Sequence, residues 1–204
     1  MHAVVLKSLG RKVIVLESRK DHELHAEAAG LGMGPNAQKL AREYLGIDES
    51  FAIRAPGSQI ISPDGEIVAE LPPGFSVIMC TWGLVYERLK TNFLSLSKLS
   101  PASVYETGVR VNRFEYDGQD ALVKVICTRK NETMDRVIEA PLVIGADGYR
   151  SSVRHQLQPD LKSNYAGYVA WRGSVPETQT PDALKGILEG KMIFTLLPGH
   201  YVLG

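Results

Sequence analysis

The chain has 204 residues, of which 44% are hydrophobic and 23% are charged, as expected for a globular protein with a sizeable core. Lys plus Arg and Asp plus Glu both number 23, so the formal net charge is zero. That balance argues against a nucleic-acid-binding protein, which usually carries a basic excess. The sequence has no apolar run of about 18 residues and no basic signal-peptide region, so we expect a cytoplasmic protein without a membrane span.

Cysteine and histidine spacing predicts neither a disulfide framework nor a metal site. Cys80 and Cys127 lie far apart and form no CxxC pair. The five histidines include no HExxH pattern. No metal ligand is therefore predicted.

The first predicted elements are a helix, a strand and a second helix. Helix-forming residues at 2–9 end at Gly10, a residue type that is favoured just past a helix. The β-branched run at 12–16 is typical of a strand that is buried on both faces of a parallel sheet. A glycine-rich stretch at 30–34 leads into Pro35, which suits the first turn of a helix.

The middle of the chain alternates between antiparallel strands and helices. The turn residues at 63–65 separate two β-rich runs and predict a hairpin. Apolar residues recur at helical spacing over 82–99. We also predict a strand at 75–80, a meander within 103–139, a buried strand at 141–145, a helix at 151–157, and strands at 165–175 and 201–203.

These elements predict an α/β fold. Parallel βα elements near the start and around residue 145 enclose antiparallel insertions at 58–80 and 103–139. The predicted domain division places a first domain at 1–158 and the start of a second sheet at 159–204.

An acidic residue, Glu17, follows the predicted strand at 12–16. In a dinucleotide-binding βαβ unit, a carboxylate here accepts hydrogen bonds from ribose hydroxyls, about 20 residues after a GxGxxG turn. Only 16 residues precede Glu17, so that turn would fall before Met1. A surface carboxylate without a ligand is the alternative interpretation, and Glu17 alone also permits a plain NAD-dependent dehydrogenase.

A second motif, Gly-Ala-Asp-Gly-Tyr-Arg-Ser-Ser-Val-Arg, occupies residues 145–154. It reads as a strand end, a tight turn and a helix start. Gly145 and Gly148 allow a backbone to approach a ligand closely, and N–H groups at a helix start favour an anion. We expect Asp147 and Arg154 to fix the turn to its neighbours.

This second motif resembles the GADGxxSxVR motif of the FAD-dependent aromatic-ring monooxygenases, the group of para-hydroxybenzoate and salicylate hydroxylases. Residues 13–19 are similar to the family's second strand, and residues 32–37 to the segment beside the flavin. Residues 81–89 and 165–173 are similar to a subgroup close to 2,6-dihydroxypyridine 3-monooxygenase. The GADG motif and the antiparallel insertions argue against a plain dehydrogenase.

The resemblance implies a partial FAD-binding Rossmann-like domain of the GR2 type, followed by the beginning of a substrate-domain β-sheet. It implies FAD as cofactor, NADH or NADPH as co-substrate, and hydroxylation of an aromatic or N-heteroaromatic ring by O₂ through a flavin C4a-hydroperoxide. No catalytic residue is implied. The implied cofactor-binding residues are Glu17 and Arg19 at the adenosine half, Gly34 and Pro35 beside the flavin, and Asp147 and Gly148 along the flavin and pyridine-nucleotide path.

Two further motifs of the family, the GxGxxG turn and the later GDAxH motif, are not in the sequence. We therefore expect a chain that is truncated at both ends relative to the family, and whether it is an enzyme by itself stays open. The expected partners are a small aromatic substrate and either a complementary chain or a second copy in a homodimer. The isolated chain is expected to be inactive. The alternative is a catalytically dead remnant, or an interaction module that binds no flavin.

Overall fold

The computed structural model describes residues 1–24, 30–45, 48, 50, 52–54, 57–71, 77–95, 102–116, 118, 122–173, 175–188 and 191–204. In chain order, its helices and strands are α1 (His2–Ser8), β1 (Ile14–Glu17), α2 (Asp21–Leu24), β2 (Gly30–Met33), α3 (Pro35–Leu45), β3 (Ile53–Arg54), β4 (Ser58–Ile61), β5 (Ile67–Leu71), β6 (Ile78–Thr81), α4 (Trp82–Ser95), β7 (Val104–Thr107), β8 (Val109–Glu115), β9 (Val123–Arg129), β10 (Arg136–Ala140), α5 (Ser152–Leu157), a 3-10 helix (Glu177–Gln179), α6 (Asp182–Leu188), β11 (Met192–Leu197) and β12 (His200–Leu203).

The chain forms two compact units that alternate along the sequence. Unit 1 comprises Met1–Gly10, Glu27–Leu99 and Arg172–Gly204, and unit 2 comprises Arg11–Ala26 and Ser100–Trp171. The predicted division at residue 158 separates cofactor and substrate functions, and it stays a prediction.

Unit 1 contains two sheets. One has the order β12-β11-β4-β5, with β11 parallel to β4 and an antiparallel hairpin on either side. The predicted hairpin around 63–65 is confirmed as β4 and β5, and Gly65 adopts a positive φ of 88° in its turn. The predicted strand at 201–203 is confirmed as β12. The other sheet is antiparallel, with the order β2-β6-β3.

A group of buried side chains stabilises unit 1. Met33, Ala41, Ile78 and Cys80 form a cluster where β2 and β6 meet α3.

The predicted helices at 2–9, from Pro35 and over 82–99 are confirmed as α1, α3 and α4, although residues 96–99 lie outside the described residues.

A buried lysine joins α1 to α4 inside unit 1. Lys7 is only 2% exposed, and its ammonium donates a hydrogen bond to the carbonyl of Phe93. The same nitrogen lies 4.4 Å from the centre of the Phe93 ring. A buried charge requires such partners, because desolvation otherwise disfavours it strongly.

Unit 2 contains a parallel pair, β1 and β7, and an antiparallel sheet of order β10-β9-β8. The predicted meander within 103–139 is confirmed over β8 to β10. The predicted antiparallel range also includes β7, and this is wrong for β7, because it pairs in parallel with β1. Glu106 on β7 accepts hydrogen bonds from Arg129 at 2.8 Å and from Arg136 at 2.9 Å, which ties the two sheets together.

Three predictions about burial and strands in unit 2 were wrong. β1 is not buried on both faces, since Ile14 is 38% exposed and β7 is its only described neighbour strand. Residues 141–145 form no strand, and neither do the described residues of 165–175. Leu142 is 65% exposed. Apolar β-branched runs form strands only where a neighbouring strand satisfies their backbone, and none of the described strands pairs with these segments.

Within the described part of the chain, no helix combines the length and the apolar character that crossing a bilayer requires.

Candidate functional site

The turn before α5 is built around the Asp147 carboxylate. One oxygen accepts a hydrogen bond from the Ser151 hydroxyl. The other accepts from the Ser152 N–H at 2.7 Å, the Ser152 hydroxyl at 3.0 Å and the Val153 N–H at 3.2 Å. Ser151 is also the N-cap of α5, and its hydroxyl oxygen accepts from the Arg154 N–H at 3.0 Å. Hydrogen bonds between Asp147 and the first residues of α5 therefore fix the conformation of the turn.

These bonds set the charge of Asp147. Partial burial raises the pKa of this carboxyl, but the Ser151 hydroxyl and the Val153 N–H lead the hydrogen bonds that outweigh it and lower the pKa to about 2. Because the folded pKa lies below the ordinary value of 3.8, the carboxylate stabilises the turn fully above that value. The stabilisation is lost as the pH falls from there toward 2.

The expected anion site at the start of α5 is wrong, because the protein supplies the anion itself. The N–H groups of Ser152 and Val153 already donate to Asp147, and that of Arg154 donates to Ser151. The expectation that Asp147 and Arg154 fix the turn is confirmed. The Arg154 guanidinium donates to the carbonyl of Gly148 at 3.4 Å and to that of Tyr149.

The two glycines of the turn serve different purposes. A Cβ on Gly145 would lie 3.0 Å from Cγ1 of Val153, so this glycine allows α5 to pack on the turn rather than a ligand to approach. Gly148 has a φ of 76°, in the left-handed region, and no described atom lies within 4 Å of the place of its missing Cβ. Gly148 therefore has open space beside it.

Alanine substitutions separate these two purposes. Gly145→Ala is expected to lower the free energy of unfolding by about 1–3 kcal/mol because it overpacks against Val153. Gly148→Ala is expected to cost about 1–2 kcal/mol because of its positive φ. Gly173→Ala, with neither constraint, should stay within about 0.5 kcal/mol of the parent in urea unfolding. Asparagine tolerates a positive φ, so Gly148→Asn should recover part of the loss, whereas equal losses in Gly148→Asn and Gly148→Ala would contradict the conformational explanation.

Glu17 lies at the end of β1, where the sequence predicts it. Its Oε1 accepts hydrogen bonds from the Arg19 N–H at 2.8 Å and the Ser18 hydroxyl at 3.3 Å, and it lies 3.7 Å from Nε of Arg19. The bonds that Glu17 makes to described residues all use this oxygen. The side chain is 29% exposed, so it is partly open to solvent.

Backbone bonds hold the segment after Glu17 in place. The carbonyl of Arg19 accepts from the Gly108 N–H at 2.9 Å, and the carbonyl of Gly108 accepts from the Lys130 N–H at 2.7 Å. The Lys130 ammonium lies 3.0 Å from Glu23. Arg19 is thereby fixed beside Glu17.

Gly34 and Pro35 open α3 in unit 1. The carbonyl of Gly34 accepts from the Gln38 N–H at 3.0 Å, and the buried Gln38 side chain donates to the Met33 carbonyl at 2.7 Å. No described atom lies within 4 Å of a Cβ built on Gly34, whereas one on Gly32 would lie 3.0 Å from Val77.

The structure thus brings the predicted residues Glu17, Arg19, Asp147 and Gly148 into unit 2, while Gly34 and Pro35 belong to unit 1. The sequence motif did not predict the roles of Ser151 and Ser152. Their signal was present, because serine is a preferred N-cap residue just before a helix.

The mixed α/β architecture is the fold of solved flavin-dependent monooxygenases. The family model described as FAD binding domain-like matches residues 165–204. The structure of the flavin-dependent monooxygenase PieE, in complex with FAD and substrate, has a similar fold with a TM-score of 0.63 at 17% identity, covering 76% of this chain and 29% of that one.

Curated relatives extend the comparison to sequence. The 3-amino-4-hydroxybenzoate 2-monooxygenase of Streptomyces cremeus is 31% identical over 206 residues, which is 98% of this chain and 48% of the relative. The aurachin C monooxygenase/isomerase of Stigmatella aurantiaca is 31% identical over 71% of this chain and 37% of its own length. The chain spans about half the length of the first relative and less of the second. These matches confirm the predicted relationship to the FAD-dependent aromatic-ring monooxygenases.

Proposed function

We propose that this chain forms part of the FAD site of a monooxygenase that hydroxylates an aromatic or N-heteroaromatic ring, with NADH or NADPH and O₂ as co-substrates. The observation that carries the proposal is the Asp147 turn. Its carboxylate accepts hydrogen bonds from the N–H groups at the start of α5, and these bonds hold the backbone around Gly148 in place. The relationship to aromatic-ring monooxygenases supports the choice of reaction.

The residues of unit 2 fit FAD at two places. Glu17 would accept a ribose hydroxyl through Oε2, with Arg19 beside the same half of the cofactor. Gly148 leaves open the space that a side chain would fill, which permits a ligand to approach its backbone. In unit 1, taken by itself, Gly34 has open space of the same kind, and Pro35 starts α3 beside it. When bound, FAD supplies the redox chemistry, and the protein binds and orients it.

Asp147 acts on the cofactor through the turn. Both of its oxygens are engaged by Ser151, Ser152 and Val153, so its contribution is to hold the backbone of the turn in position. A role as general acid does not fit a carboxyl with a pKa of about 2, because it holds no proton to donate at neutral pH.

The proposal includes a polypeptide partner and a cytoplasmic location. Several large apolar side chains of unit 2 are exposed, and Trp171 is 93% exposed. Exposed apolar side chains can be covered by a partner, so we propose a complementary chain or a second copy in contact with them, and an isolated chain that does not oxidise NADH or NADPH. The same exposure favours the second candidate function, an interaction module that binds no flavin.

An FAD titration of the purified chain tests the proposal. We expect bound flavin to remain visible in the absorbance spectrum after gel filtration. Glu17→Gln is expected to weaken FAD binding about tenfold or more, because a hydrogen bond to a charged group contributes about 1.5–3 kcal/mol. Glu139→Gln, on an exposed position of β10, is the matched control and should leave the Kd unchanged.

The outcomes separate the two candidate functions. A colourless chain that takes up no FAD, yet forms a defined dimer in light-scattering measurements, supports the interaction module and contradicts the flavin site. An FAD complex that is equally tight in the parent and in Glu17→Gln would remove Glu17 from the site.

A further inference from the structure

Gln156, near the end of α5, binds the backbone of β8 with both ends of its side-chain amide. The Phe114 N–H donates to Oε1 of Gln156 at 3.1 Å, and Nε2 of Gln156 donates to the Phe114 carbonyl. β8 is at the edge of its sheet, so the N–H and carbonyl of an edge residue need a partner other than β9. The Gln156 amide takes the place of a neighbouring strand at this residue.

The other end of α5 is bonded to the Asp147 turn. Asp147 accepts from Ser152 and Val153 at the start of the helix, and Arg154 donates to the carbonyl of Gly148. The helix therefore connects the turn to β8. β8 in turn contacts β1, the strand that ends at Glu17, so one continuous set of contacts within unit 2 joins the two predicted cofactor positions.

We infer that Gln156 is a positioning residue that fixes the spacing between Glu17 and the Asp147 turn, an inference that rests on the proposed FAD site. A dinucleotide has to reach both places at once. The contact at the second place contributes fully to affinity only when the free protein already holds the two places at the distance that the ligand spans. The protein then loses no further conformational freedom when the ligand binds. A ligand that reaches Glu17 alone does not depend on this spacing.

The test compares two probes on the full chain, FAD and ADP, in competition titrations followed by flavin fluorescence. ADP carries the adenosine and pyrophosphate of FAD but no flavin. We expect Gln156→Ala to raise the Kd for FAD about tenfold and the Kd for ADP less than about twofold. A merely structural role would instead raise both constants by the same factor, through the loss of folded protein.

Gln158→Ala is the matched control, because Gln158 is an exposed glutamine immediately after the same helix. It should change neither constant. A Gln156→Ala variant with an unchanged ratio of the FAD and ADP constants overturns the inference while leaving the FAD site in place. A parent chain that binds neither probe overturns the proposed function, and the inference with it.

Discussion

Phe93→Ala is expected to lower the free energy of unfolding by about 3–5 kcal/mol, the range for a buried phenylalanine cut back to alanine. Phe93 is 3% exposed on α4, and its ring faces the Lys7 ammonium at 4.4 Å. The substitution creates a cavity and also removes the ring from a buried charge, which keeps only the Phe93 carbonyl as its described partner. Urea unfolding followed by far-UV circular dichroism measures the change.

The next residue on α4 provides the control. Leu94 is 49% exposed, so Leu94→Ala removes a side chain of similar type from the solvent side of the same helix. We expect a loss of less than about 1 kcal/mol. Equal losses at Phe93 and Leu94 would contradict the arrangement in which Lys7 and Phe93 join α1 to α4.

Local signals predicted the elements that depend on neighbouring residues in the chain. The hairpin around 63–65 follows from Pro, Asp and Gly in one turn, and α5 from a serine before a helical run. The GADG motif alone predicted both the turn and the relationship to flavin monooxygenases. In each case, the determining interactions lie within a few residues.

Interactions between distant parts of the chain limited the rest. The strand predicted at 141–145 has a high β propensity, but propensity reflects packing against neighbours, and the described strands do not pair with it. The sequence could not show that Asp147 would occupy the helix N–H groups that were assigned to an anion. Nor does any local pattern mark Gln156, whose partner, Phe114, is 42 residues away.

The second large effect is expected in the cluster beside α3. Ile78 is 2% exposed on β6, the middle strand of the sheet β2-β6-β3, and it packs with Met33 and Ala41. Ile78→Ala should lower the free energy of unfolding by about 2–5 kcal/mol, through lost apolar burial and the remaining cavity. That is a large part of the roughly 5–15 kcal/mol that stabilises an ordinary domain, so the variant should melt well below the parent.

Ile67→Ala makes the same chemical change on the edge strand β5, where Ile67 is 57% exposed, and should cost less than about 1 kcal/mol. Both substitutions lower the β propensity of a strand, but only Ile78→Ala removes a buried side chain. Thermal unfolding of the two variants therefore separates the effect of burial on stability from the effect of β propensity. Comparable losses would place the stability of unit 1 in its strands rather than in the cluster. A large loss at Ile78 alone means that the cluster, which includes Met33 directly before Gly34, stabilises the start of α3.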